Sequence, residues 1–161
     1  MAGILILGET TCDDLQSATG ELLAAGRSLA DSLGEEVAVA LLGNNPNSLH
    51  RKAISQGADK VYLVQNSLLS TPHTETYLAA FEKVCRKTEP SVVLIARTPT
   101  GRDVGPRIAF KLGVGVAQDC VEIAIDSVSN RVVATRPVYG GNALAKVTFP
   151  QTNPQVLVLR T

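Results

Sequence analysis

Apolar residues in this chain fall into short unbroken runs, separated by stretches where they recur every three or four positions. Gly3-Ile-Leu-Ile-Leu7 ends at Gly8, and Val37-Ala-Val-Ala-Leu-Leu42 ends at Gly43-Asn-Asn-Pro46. Val61-Tyr-Leu-Val64 and Ser91-Val-Val-Leu-Ile-Ala96 are of the same kind. A run apolar at nearly every position suits a strand covered on both faces, as in a parallel sheet. Between the first two runs, Leu15, Ala18, Leu22, Leu29 and Leu33 keep one helical face towards a core. Asp13 or Asp14 is the expected cap of that helix and Gly34 its stop. A shorter helix is expected over 48–56. Tyr77, Ala80, Phe81, Val84 and Cys85 mark another, and Pro90 resets the chain. Four such strands alternating with helices predict a parallel sheet with right-handed crossovers and helices on both faces.

After Thr98 the rhythm changes. The stretch 98–103 reads as a loop, and Val104, Ile108 and Leu112 as a short helix that tolerates Pro106 only in its first turn. Beyond Gly113 come four β-rich runs: Ala117–Ile125, Arg131–Val138, Ala143–Phe149 and Gln155–Leu159. Turn chemistry at 126–130, 140–142 and 150–154 separates them, so they read as antiparallel additions, including a hairpin flap at the sheet edge. No internal repeat or low-complexity segment divides the chain. One domain over 1–161 is expected.

Composition narrows the field. Hydrophobic residues at 45 % and charged residues at 19 % give a chain able to bury a core. Fifteen basic residues balance fifteen acidic ones, so no positive field is available for nucleic acid. No apolar run approaches the roughly 20 residues of a membrane span, and no targeting segment is recognisable at the start. Cys12, Cys85 and Cys120 lie far apart, without metal-ligand or disulfide spacing, which points to a reducing compartment.

The chemistry-bearing motifs are few. Gly8-Glu-Thr-Thr-Cys-Asp-Asp14 follows the first strand with one glycine, where a dinucleotide cradle needs three. Its aspartates read better as cap and first-turn acids than as a catalytic pair. His50 and His73 open helices on polar stretches and read as solvated. Neither a Walker sequence nor a nucleophile elbow occurs. Two stretches carry more information. Ala96-Arg-Thr-Pro-Thr-Gly-Arg-Asp-Val-Gly-Pro-Arg-Ile108 sits at the carboxyl end of the fourth strand, where open α/β sheets bind ligands. There Arg97, Thr98, Arg102 and Arg107 could contact an anion, although pairing of Arg97 and Arg107 with carboxylates is the plainer reading. Arg136-Pro-Val-Tyr-Gly-Gly-Asn-Ala-Leu144 reads as a hairpin tip. Its second reading is a partner-facing tip with Arg136, Tyr139, Gly141 and Asn142 as contacts.

Together these stretches resemble the amino-terminal domain of electron-transfer flavoprotein alpha subunits. The resemblance rests on Thr100-Gly-Arg-Asp-Val-Gly-Pro-Arg107, Ala109-Phe-Lys-Leu112 leading to Gln118-Asp119, and Arg136–Leu144. Gly105, Gly140 and the Asn130-Arg131 turn depart from it. The resemblance implies a three-layer α/β/α fold with a mostly parallel Rossmann-like, adenine-nucleotide-hydrolase-like sheet and antiparallel carboxyl-terminal strands. It implies a scaffold without catalysis of its own, paired in a heterodimer with a beta subunit. The assembly shuttles electrons from flavoprotein dehydrogenases, as in fatty acid β-oxidation, to an acceptor such as a quinone oxidoreductase. FAD would be bound mainly by a carboxyl-terminal domain beyond this chain, so no cofactor is expected here. Bacterial cytoplasm or mitochondrial matrix would house it. A stand-alone, universal-stress-like nucleotide-binding module is the alternative.

Overall fold

The four unbroken apolar runs become β1 (Ile4–Gly8), β2 (Val37–Gly43), β3 (Lys60–Gln65) and β4 (Val92–Ala96). The structure is a computed structural model and describes residues 3–11 and 14–161. The periodic stretches become α1 (Ser17–Leu33), α2 (His50–Ser55), α3 (Thr74–Thr88) and α4 (Pro99–Leu112). Five more strands follow: β5 (Val116–Cys120), β6 (Glu122–Asp126), β7 (Arg131–Val138), β8 (Ala143–Val147) and β9 (Gln155–Leu159).

Strands β1, β2, β3, β4, β5 and β9 form one sheet in the order β3-β2-β1-β4-β9-β5, every pair of neighbours parallel. Strands β6 to β8 form a separate antiparallel sheet. The period-two geometry of a strand divides the core between two faces. Ile4, Ile6, Val39, Leu41, Leu94 and Leu157 pack on one side with α1, α2 and the small sheet. Leu5, Leu7, Ala40, Val93, Ile95 and Val158 pack on the other with α3 and α4. The α/β architecture expected from the pattern is therefore present.

Several local expectations are corrected. Asp13 lies outside the described residues, and Asp14 is no helix cap. Gln16 occupies the cap position without a side-chain bond, while the Asp14 carboxylate accepts from Leu15 N–H and pairs with Lys52. The stretch 98–103 is not a loop. Thr98 caps α4 by accepting from Gly101 N–H at 3.0 Å, and Pro99 is the first helical residue. Pro106 consequently stands mid-helix, leaving the Arg102 carbonyl without its intrahelical donor. An interior proline costs about 3 kcal/mol. Burying Val104 and Ile108 completely returns roughly 1.5–3 kcal/mol each, so packing wins.

The run 117–125 is two strands, broken at Val121, whose N–H donates to Thr135 C=O. The larger correction concerns the last strand. Instead of adding antiparallel at an edge, β9 inserts between β4 and β5, parallel to both. Its five residues are all buried. Gln155, at its start, is 1 % exposed and acts as a strand-like clasp. Its Oε1 accepts from Val132 N–H at 2.9 Å and its Nε2 donates to Val132 C=O at 2.8 Å. Arg131 secures the incoming turn by donating to the carbonyls of Phe149 and Thr152.

Replacing Gln155 with Ala leaves both backbone groups of buried Val132 without partners. It should cost about 2–3 kcal/mol and lower the melting temperature by roughly 4–12 °C. Hydrogen exchange should locate the loosening in residues 131–135 while β1 and β2 stay protected.

Candidate functional site

The parallel strands end along one rim, and most of the residues singled out in the sequence lie there. The order of the sheet reverses between β1 and β4, because α1 and α2 carry the chain outward on one face and α3 returns it on the other. The crevice outside such a reversal is the usual ligand position in open α/β sheets. Glu9 follows β1 into it, and Arg97 and Thr98 follow β4.

Glu9 is held firmly. Its N–H donates to Thr19 Oγ1 at 2.8 Å, and that hydroxyl donates back to the Glu9 carbonyl at 2.8 Å. Its carboxylate accepts from Thr98 Oγ1 at 2.5 Å. Glu9 is 8 % exposed, and this burial raises its pKa above the ordinary 4.5, partly offset by the Thr98 hydrogen bond. It lines a cavity of about 540 Å³ together with Gln16, Asn44, Asn45, Tyr77 and Thr100. The helix start above it approaches the sheet very closely. A Cβ built on Gly101 would lie 1.9 Å from the Ala96 carbonyl oxygen, so only glycine fits there.

Further along the rim, the ends of β4, β9 and β5 bring charges together. Asp119 accepts from Arg160 Nε at 2.6 Å and Nη2 at 2.9 Å, and Arg97 Nε lies 2.8 Å away. Hydrogen bonding by Arg160, followed by the charges of Arg97 and Arg136, overcomes partial burial and holds the Asp119 carboxyl below its ordinary range. Two backbone bonds set this arrangement: Arg97 N–H to Leu159 C=O and Arg160 N–H to Cys120 C=O. Strand β7 climbs beside it. Its start is clasped by Gln155 and its middle by Val121, so the tip at 139–142 projects past the carboxyl ends of the sheet. Tyr139 is 84 % and Leu144 66 % exposed. Tyr139, Gly140 and Gly141 all take positive φ, as a tight reversal requires. Gly141 and Asn142 are exposed.

The remaining sequence candidates stand apart. Arg107 pairs with Glu75 across α3 and α4, while Arg102 is exposed on the second turn of α4. His73 occupies the cap position of α3 without a side-chain bond and is exposed, whereas His50 is half-buried at the start of α2 rather than fully solvated. Burial pushes the Cys85 thiol up to about 12 and Cys120 up to about 11, so neither offers a thiolate. No group of three metal-ligating side chains occurs among the described residues. Nor is any helix among them long and apolar enough to cross a membrane. Sequence reasoning passed over Glu9 and Arg160. Glu9 was legible as the first residue beyond the strand-ending glycine, but nothing local marks Arg160.

The family described as electron transfer flavoprotein domain matches residues 4–161. The electron transfer flavoprotein subunit alpha of Thermoanaerobacterium thermosaccharolyticum is 38 % identical over 157 residues, covering 98 % of this chain and 47 % of that protein. The subunit of the same name from Clostridium acetobutylicum is 35 % identical over 158 residues, with the same coverage. Protein FixB of Azotobacter vinelandii is 33 % identical over 144 residues, covering 87 % of this chain and 40 % of that protein. This chain belongs to the electron transfer flavoprotein domain family, and it spans about half the length of the curated relatives it matches.

The family implies FAD, but the crevice described here does not fit a dinucleotide. A buried carboxylate faces the place a pyrophosphate would take, the Thr98 hydroxyl is bonded to that carboxylate, and no glycine-rich turn follows β1. The same carboxylate opposes the phosphates of a mononucleotide.

Glu9 makes stability depend on pH. With its folded pKa raised, the folded state binds the extra proton. The stability that this supplies is present below about 4.5 and lost as pH rises through the folded value. Glu9→Gln keeps the Thr98 hydrogen bond and removes the buried charge. The variant should melt above the parent at pH 8 and level with it near pH 4, measured by thermal denaturation across that range.

Proposed function

We propose that this chain is the amino-terminal scaffold and subunit-interaction domain of an electron-transfer flavoprotein alpha subunit, contributing no catalysis of its own. Within such an assembly the chain holds a beta subunit in place. FAD sits mainly on a segment outside these 161 residues. The assembly passes electrons from flavoprotein dehydrogenases to an acceptor such as a quinone oxidoreductase, in bacterial cytoplasm or mitochondrial matrix. The observation that carries this reading is the rim itself. A hairpin tip exposing Tyr139 and Leu144 stands beside ion-paired arginines, and the whole is braced by buried strands. Tyrosine and arginine beside an aliphatic side chain are the residue types that anchor protein interfaces. The rim's fixed backbone suits a platform, since a rigid surface loses little entropy on docking.

Mixing the chain with an electron-transfer flavoprotein beta subunit from the same organism should give a one-to-one complex in size-exclusion chromatography with light scattering. Tyr139→Ala combined with Leu144→Ala should weaken that complex at least tenfold, about 1.4 kcal/mol or more, without lowering the melting temperature. The purified chain should show no flavin absorption band. Absence of a complex, or tight binding of AMP in calorimetry, would overturn the reading, and the latter would favour a nucleotide-binding module.

A further inference from the structure

The crevice at the strand reversal opposes phosphates, yet it is not filled. The cavity there measures about 540 Å³, within the range of small-molecule sites. Glu9 is the one charged side chain among the described residues that line it. Gln16, Asn44 and Asn45 add carboxamides, and Leu69 and Tyr77 add apolar wall. Glu9 is 8 % exposed, and one of its carboxylate oxygens accepts from Thr98 Oγ1. Its other oxygen accepts no hydrogen bond among the described residues and is not sealed off, so it opens to the cavity that Glu9 lines. Cations on neighbouring elements are engaged elsewhere: Arg97 beyond β4 pairs with Asp119, and Lys52 on α2 pairs with Asp14. Tyr77 supplies no proton to it either, since its hydroxyl donates to the Leu42 carbonyl at 3.3 Å. Burial therefore raises the Glu9 pKa with only the Thr98 hydroxyl to offset it.

A buried carboxylate is disfavoured unless a donor or a cation meets it. A charged nitrogen supplies both at once, and charge-assisted hydrogen bonds of this kind are the strong ones. We propose that this cavity binds a small organic cation, a protonated amine or amidine on an apolar body, with the Glu9 carboxylate holding its charged nitrogen. The carboxamides of Gln16, Asn44 and Asn45 are placed to accept from its remaining N–H groups, while Leu69 and Tyr77 cover the hydrocarbon. Anions are disfavoured, because no lysine or arginine among the described residues lines the cavity to offset the carboxylate. A divalent metal ion calls for several oxygen ligands with more than one carboxylate among them, and no group of three metal-ligating side chains gathers among the described residues. The cavity shares no lining residue with the hairpin tip, so the proposal stands independently of the interface reading.

The test titrates the intact chain, by calorimetry, with probes of one shape and different charge: cationic benzamidine, neutral benzamide and anionic benzoate. Benzamidine should bind at least tenfold more tightly than benzamide, and benzoate should not bind. Glu9→Gln, which keeps the Thr98 hydrogen bond, should abolish the preference for benzamidine. In nuclear magnetic resonance spectra of the parent, benzamidine should shift the backbone amide signals of Asn44, Asn45 and Tyr77 and leave those of the 139–142 tip in place. If Glu9→Gln does not fold, the charge series and this mapping decide the matter on the parent alone. Absence of benzamidine binding, equal binding of benzamidine and benzamide, or a preference that survives Glu9→Gln overturns the proposal. Binding of benzoate in place of benzamidine, or shifts confined to another face, overturns it as well. None of these outcomes bears on the interface reading, which is decided by association with the beta subunit.

Discussion

Burial of the last strand between β4 and β5 is the interaction on which the rest of the molecule depends. All five residues of Gln155–Leu159 are buried, with Val156 and Val158 facing α3 and α4 and Leu157 and Leu159 facing α1 and the small sheet. At roughly 1.5–3 kcal/mol for each fully buried aliphatic side chain, these four residues contribute more than any surface ion pair in the molecule. The insertion also joins the two sheets. Chain leaving β5 forms β6, β7 and β8, then returns as β9, and Gln155 reaches back to clasp β7.

The rim inherits its geometry from that insertion. Arg97 and Arg160 leave adjacent parallel strands at the same level, and Asp119 lies at the end of the next, one residue before Cys120. Asp119 takes a positive φ of 64°, turning the chain where β5 meets β9 out of simple register. Salt bridges at exposed positions contribute about 0–1 kcal/mol each, so this network steers side chains more than it stabilises the fold. Hydrophobic burial decides where the strands lie. The charges then find each other because the strand ends bring them together. Among the described residues Arg136 forms no ion pair, although its charge is felt at Asp119.

The reversal crevice illustrates how the same architecture can be closed to one use. Its position favours phosphate binding, with a helix start above and strand ends below. Yet Glu9 fills that position with negative charge, and Gly101 is spent on close packing against Ala96 rather than on a phosphate cradle. Such a crevice stabilises the junction of β1, β4 and α4. Fold and site are separable here, as in other widely used α/β scaffolds.

Hydrophobic spacing determined the identity of the first four strands and three helices and the α/β class, and turn chemistry the hairpin tip at Gly140-Gly141, because each depends on contacts within a few residues. The start of α4 was equally local, written in Thr98-Pro99, but Pro106 pulled the reading the other way. Strand order was different in kind. An apolar run such as Val156–Leu159 announces that both faces will be covered, yet nothing in it distinguishes an edge from the slot between β4 and β5. Any parallel neighbour satisfies its backbone equally, and the choice falls to global packing and to the clasp at Gln155. The meeting of Arg97, Asp119, Arg136 and Arg160, drawn from positions up to 63 residues apart (160 − 97), was therefore decided by the tertiary structure, since charge pairing acts only after the backbone has set the distances.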